Sequence, residues 1–198
     1  MRKSADARRR EIVEAVLRLS AELGPDRLGT AAVARSVGLT QPAIFRHFPT
    51  RDDLWIAVAE HVAGELRRTW DGAGVSSGGP EDALRALLRA HMDEVAREPA
   101  ILAIVFSHEL RVGNRRLAEV FRALMAELSE RLAALAAGFG DRLRVGPADA
   151  ARLLLALVQG TALRWSLSGR GFDLAAEVDR LLDLQLCGLL RPPSEPDP

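Results

Sequence analysis

Residues 30–54 read TAAVARSVGLTQPAIFRHFPTRDDL. The spacing predicts a short helix over 31–37 and a second over 41–47, with Gly38 stopping the first and Pro49 the second. Thr30 and Thr40 stand where N-caps belong, and Pro42 falls in a first turn, where a missing N–H costs little. Two short helices joined by a tight turn containing glycine have the form of a helix-turn-helix. Ala34 is small enough for a close crossing, and Gly38 can take the positive φ of the turn. Ile44 plugs the angle between the helices, aided by Val33, Val37 and Leu39. The second helix then offers Thr40, Gln41, Ala43, Arg46 and His47 at its start and outer side. A recognition helix reads base edges with its N-terminal residues. Gln matches adenine bidentately, and Arg reaches guanine or a phosphate. Thr50-Arg51-Asp52-Asp53 has the form of a capping box with Asp in place of Glu, opening a long helix with Leu54, Val58 and Val62 on one face.

Outward from this stretch the pattern stays helical. Ile12, Val16, Leu19 and Leu23 recur at helical spacing before Gly24-Pro25. Residues 72–80, GAGVSSGGP, read as a flexible linker; their glycines lack the following Gly-Lys-Ser/Thr of a phosphate-cradling loop. Helices are expected over 81–97, with Leu84, Leu88, His91 and Val95 on one stripe, and over 99–110, 115–137, 147–167 and 174–190. Gly113-Asn114 marks a turn, and Gly138 and Gly140 close the helix before them. With no strand alternation and no repeat, the expected fold is all-α with about nine helices. The expected domains are a helix-turn-helix head over 1–50, a ligand-binding and dimerisation body over 51–191, and a disordered tail over 192–198.

Charge separates the same regions. Residues 1–51 hold ten Arg and Lys against five Asp and Glu, a net +5, and residues 52–198 hold 17 against 22, a net −5. A basic head on an acidic remainder points to a polyanion partner for the head alone. Arg supplies 26 of the 27 basic residues, a bias that reflects genome composition rather than function. Cys187 is the single cysteine, so no intrachain disulfide can form and a reducing cytoplasm fits; it reads as a buried, inert thiol among Leu184, Leu186 and Leu190. The N-terminal MRKSADARRRE lacks the apolar core of a signal peptide. The near-apolar run 153–163 is far short of the roughly 20 residues of a membrane span.

Residues 8–62 resemble the N-terminal domain of TetR-family transcriptional repressors. The likeness rests on Thr30 with Val33-Ala34, Val37-Gly38-Leu39-Thr40, Ile44-Phe45-Arg46-His47-Phe48 and Thr50-Arg51-Asp52-Asp53-Leu54. It implies a two-domain, all-α homodimer whose body binds an inducer and dimerises through its last two long helices. It also implies DNA contact by Thr30, Thr40, Gln41, Pro42, Arg46, His47 and Arg51. Where the family usually has a phosphate-contacting Tyr, this chain has Phe45, which must pack on backbone sugar or in the head. Where it usually has Lys, Arg51 keeps the charge and adds a fork for phosphate.

The implied partners are a near-palindromic double-stranded DNA operator, a second copy through helices 147–167 and 174–190, and a small apolar or aromatic inducer. Polar groups isolated on apolar faces nominate the inducer site: His91, His108, Glu109, Gln159 and Trp165, with Met92, Phe106, Phe121 and Met125 as the adaptable wall. No cofactor and no metal are expected, since His61, His91 and His108 lack metal spacing; only His91, His108 and Glu109 could converge in space. No Ser-centred elbow or paired-acid motif indicates an enzyme. The alternative is a DNA-binding protein whose body contacts a protein partner and has no inducer.

Overall fold

The computed structural model describes residues 4–73 and 78–192. Among these it has ten α-helices and two short 3-10 turns, at Pro25–Arg27 and Gly140–Arg142. The helices are α1 (Ala5–Leu23), α2 (Thr30–Ser36), α3 (Gln41–His47), α4 (Arg51–Ala73), α5 (Pro80–Arg97), α6 (Ala100–Phe106), α7 (His108–Gly113), α8 (Arg115–Ala137), α9 (Pro147–Leu167) and α10 (Leu174–Leu189). Extended pairing among the described residues is limited to one antiparallel bridge between Leu143 and Leu190. Among the described residues no helix is long and apolar enough to cross a membrane.

One helix was expected over 99–110, and the chain makes two. Ser107 is extended, with ψ 114°, and its hydroxyl accepts from the Leu110 amide at 3.0 Å, so it caps α7 instead of continuing α6. The expected linker is shorter than its glycines suggest, because Gly72 and Ala73 still belong to α4. Its residues 74–77 lie outside the described residues, as do 193–198 of the expected tail and the first three residues.

The chain forms two compact units, neither continuous in sequence. The first takes the residues up to Glu65 together with Glu98–Ala123. Its core joins Ile12, Val13 and Val16 of α1 to Val33 and Ala34 of α2, Ile44 of α3, Val58 of α4 and Ile104 of α6, all at most 5% exposed. Polar links tie α6, α7 and the start of α8 into this unit. The Ser107 hydroxyl donates to Asp26 at 2.5 Å. The Asn114 amide donates to the Asp52 carbonyl at 3.2 Å, while its oxygen caps α8 at Leu117. Arg51 stands 4.0 Å from Glu109.

The second unit takes Leu66–Arg97 and the residues from Leu124 onward. Here α5 packs on α9 and α10, and these pack on each other, burying Leu84, Leu88 and Met92 with Leu154, Val158, Val178 and Leu182. Outside that seam Arg85 pairs with Asp183 at 2.6 Å, and Arg89 pairs with Asp179. Cys187, expected inside, is exposed. The buried stripe of α10 runs through Leu182, Leu186 and Leu189, and position 187 lies about 100° round the helix from Leu186.

Candidate nucleic-acid interface

The turn between α2 and α3 has the geometry its sequence requires. Gly38 has φ 65°, the left-handed value that closes a helix end. The Leu39 amide donates to the Ala34 carbonyl at 2.8 Å and the Gly38 amide to Arg35 at 3.2 Å, the paired bonds of a Schellman motif. Ala34 is 2% exposed and Ile44 0%, so the small residue and the plug meet inside the corner.

Capping departs from expectation in two places. Gly29 is the N-cap of α2, and Thr30 is the first helical residue, its hydroxyl accepting from the Gln41 amide nitrogen at 2.7 Å. Thr40 precedes α3 with extended backbone and caps through its carbonyl alone, which accepts from Ala43 at 2.9 Å and Ile44 at 3.3 Å; its hydroxyl makes no cap bond. The Thr50 box forms as expected. Asp53 N donates to the Thr50 hydroxyl at 3.0 Å, and Thr50 N donates back to the Asp53 carboxylate at 3.1 Å. This reciprocal cap starts α4 at Arg51.

Thr40, Gln41, Pro42, Phe45, Arg46 and Arg51 are exposed, Thr30 and His47 are half-buried, and Ala43 is buried. Ala43 was expected on the outer side, but it neighbours Ile44 on the inner face of a helix too short to have a broad one. The outer face therefore carries a Thr, a Gln, an aromatic ring and an Arg. A second Arg follows one turn later, at the head of α4. Thr30 and Arg51 also line one small open hollow of about 10 Å³ over Leu28, Val33 and Trp55.

Arg9 had no sequence signal to separate it from Arg8 and Arg10. Its guanidinium lies 4.2 Å from the centre of the Phe48 ring and donates to the His47 carbonyl. It thus ties the start of α1 to the end of α3 through a cation–π contact and a charge-assisted bond.

The residues nominated for an inducer divide between the units. Phe106, His108, Glu109 and Phe121 belong to the first; His91, Met92, Met125, Gln159 and Trp165 belong to the second. Phe121, Met92, His91 and Trp165 are buried, and Met125 is half-buried. Phe106, His108 and Glu109 are exposed, because the break at Ser107 turns the chain out of the register that one continuous helix would hold. Gln159 is exposed on α9. The Trp165 indole donates to the Phe172 carbonyl at 2.9 Å and is satisfied locally. His91 accepts a bond from the Trp70 indole at 3.1 Å, and burial pushes its pKa down to about 4. Arg131 covers the Trp70 ring at 5.5 Å and pairs with Asp71 at 2.7 Å and Glu127 at 3.1 Å. The described residues contain no group of three His, Cys, Asp or Glu able to hold a metal.

Residues 12–58 match the model of bacterial regulatory proteins, tetR family. The nucleoid occlusion factor SlmA of Haemophilus ducreyi is 24% identical over 117 residues, 59% of this chain and 58% of that protein. The chain thus spans little more than half the length of such curated relatives. A TetR transcription regulator of Haloarcula marismortui has a similar fold, with TM-score 0.82 at 18% identity over 94% of this chain and all of that one. The transcriptional regulator FadR of Bacillus subtilis, solved with stearoyl-CoA, gives TM-score 0.73 at 17% identity over 90% of this chain and 98% of that one. The family match runs from Ile12 within α1 to Val58 in the first turns of α4, and so includes the segments that build the Gly38 corner. The helix-turn-helix lies inside the segment that matches the tetR-family model, and the fold of the chain is similar to that of a TetR transcription regulator.

Proposed function

We propose that this chain represses transcription as a homodimer on a near-palindromic operator and leaves it when a small, largely apolar ligand binds. The observation that carries the DNA-binding half is the exposed face of Thr40, Gln41, Pro42 and Arg46, held outward by the Gly38 turn and the buried Ile44. Gln41 reads a base edge, and Arg46 and Arg51 meet guanine or phosphate. Thr30 and His47 supply further polar contacts, and Phe45, 37% exposed, packs on sugar.

Titration of an operator, selected from genomic DNA by the chain itself, tests this. Gln41→Ala is expected to cost about 1–3 kcal/mol at one base pair and relax the preference there. Arg51→Ala is expected to weaken binding to all sequences and flatten the salt dependence. If both variants bound the operator as tightly as the wild type, α3 and α4 would not form the interface.

An apolar ligand is supported by the stearoyl-CoA complex of a structural neighbour and by the apolar residues of the second unit that accompany His91, namely Met92 and Met125. The ligand acts by binding better to the state whose heads are out of register with the grooves; equal affinity for both states would shift nothing. Long-chain acyl-CoA is the first compound to try. Release of operator by it from wild type, but not from Met92→Ala or Met125→Ala chains that still bind DNA, supports the site. Equal release from all three places the pocket elsewhere.

The second reading keeps the DNA-binding head and gives the body a protein partner. It is favoured by the nucleoid occlusion factors among the relatives and by the exposed Phe106 and Val112, 41% and 71% accessible. Operator binding that no apolar ligand alters, with loss of function on Val112→Asp, would select it.

A further inference from the structure

The bond between Thr30 and Gln41 joins two helices that are otherwise assigned separate tasks. Thr30 starts α2 and Gln41 starts α3, eleven residues on, and the Gln41 amide nitrogen donates to the Thr30 hydroxyl oxygen at 2.7 Å. A glutamine amide has two N–H donors and one carbonyl acceptor. With one N–H spent on Thr30, the other N–H and the carbonyl oxygen remain, still paired in one plane. That is the pair adenine requires, since its N7 accepts and its N6 amino group donates in the major groove. A free glutamine turns its amide over readily and so offers either order of donor and acceptor. Here an amide turned over would set its carbonyl oxygen, in place of the N–H, against the Thr30 oxygen.

The Thr30 hydroxyl hydrogen settles which order holds. While its oxygen accepts from Gln41, its own O–H is free to donate. Thr30 lines the small hollow shared with Arg51, which has room for about one oxygen-sized group. A phosphate oxygen placed there, neutralised by Arg51, would accept the Thr30 O–H. The hydroxyl is then no longer a donor toward Gln41, and only the N–H-inward order of the amide can bond to it.

We propose that Thr30 is a positioning residue for base readout: phosphate contact at Thr30 fixes the Gln41 amide so that it selects adenine at one base pair in each half-site. This rests on the DNA-binding function proposed above and adds a coupling to it. A Thr30 that only touches phosphate lowers affinity for every sequence alike; a Thr30 that orients Gln41 also sets the base preference at the Gln41 position.

The test is selection of bound sequences from a randomised duplex pool by the full chain and four variants: Gln41→Ala, Thr30→Val, Thr30→Ser and the double variant Thr30→Val with Gln41→Ala. Wild type is expected to prefer adenine at one position by about tenfold or more, the discrimination of a good bidentate pair. Gln41→Ala identifies that position by flattening it. Thr30→Val is expected to flatten the same position to within about threefold while the other positions keep their preferences, and Thr30→Ser, which retains the hydroxyl, to restore it. The double variant should be no flatter there than Gln41→Ala alone. Circular dichroism and thermal unfolding of each variant check that the head is folded. A Thr30→Val chain that loses affinity uniformly but keeps the wild-type adenine preference overturns the coupling and leaves the DNA-binding function standing. A wild-type chain that selects no sequence overturns both.

Discussion

At the scale of single residues, His91 shows how much a buried polar group constrains. It is 5% exposed, one ring nitrogen accepts the Trp70 indole, and burial lowers its pKa to about 4. The unfolded chain takes up a proton at this residue near pH 6.5, whereas the folded chain refuses it until about pH 4. The folded state is therefore fully favoured above pH 6.5 and loses stability as pH falls from there to about 4. Across the whole window the loss is on the order of 3 kcal/mol, taking about 1.4 kcal/mol per pH unit. His91→Gln keeps an acceptor for the indole but does not titrate. Urea unfolding at steps between pH 7 and pH 4 should show a smaller acid loss for the variant than for wild type. Identical pH profiles would mean that His91 is not held neutral by its burial.

At the scale of elements, the corner between α2 and α3 was the most legible part of the chain. Gly38, Ala34 and Ile44 each meet a local demand, for a positive φ, a small side chain and an apolar plug, so local chemistry specifies the turn, the crossing and the plug. The Thr50 box was legible for the same reason, since both partners lie within one turn. The split at Ser107 was not. Serine is common inside helical patterns, and its role here depends on Asp26, 81 residues away, which accepts its hydroxyl hydrogen. The Thr30 cap failed similarly: the hydroxyl that local rules give to α2 is taken by Gln41 from another helix. Nor could periodicity separate the buried members of the inducer set from the exposed ones, because it assigns a face but not what covers it. Gly38 gives the element-scale prediction. No atom lies within 4 Å of a Cβ built on it, so Gly38→Ala meets no clash and costs only the strain of φ 65°. That strain is about 1–2 kcal/mol, read as a lower urea midpoint with unchanged slope. An unchanged midpoint would show that the turn relaxes freely and that the left-handed residue does not hold α3 in place.

At the scale of the molecule, the last two helices of the second unit expose large apolar side chains among the described residues. Leu153, Leu163 and Leu167 on α9 are 45%, 40% and 79% exposed, and Leu184 on α10 is 62% exposed, with Cys187 exposed nearby in sequence. Apolar side chains in such number on two long helices suit a two-fold interface with a second copy. Gly160 lies on the exposed side of α9 with open space around it in the single chain. Gly160→Leu should therefore fold normally, even with a gain in helix propensity, yet sediment as a monomer and lose operator affinity. A variant that stayed dimeric would move the interface off the middle of α9.

Two heads joined in this way would meet DNA at two sites set by their separation. In the proposed dimer α3 of each copy enters a major groove, with the two grooves one turn apart on the same side of the duplex. Hydroxyl-radical footprinting of the wild-type chain on its selected operator tests it most directly. The expected result is a near-palindrome with two protected half-sites whose centres lie about 10 base pairs, or roughly 34–36 Å, apart, both lost in Gln41→Ala at protein concentrations that protect fully with wild type. A single protected half-site, or protection that survives Gln41→Ala unchanged, would contradict it.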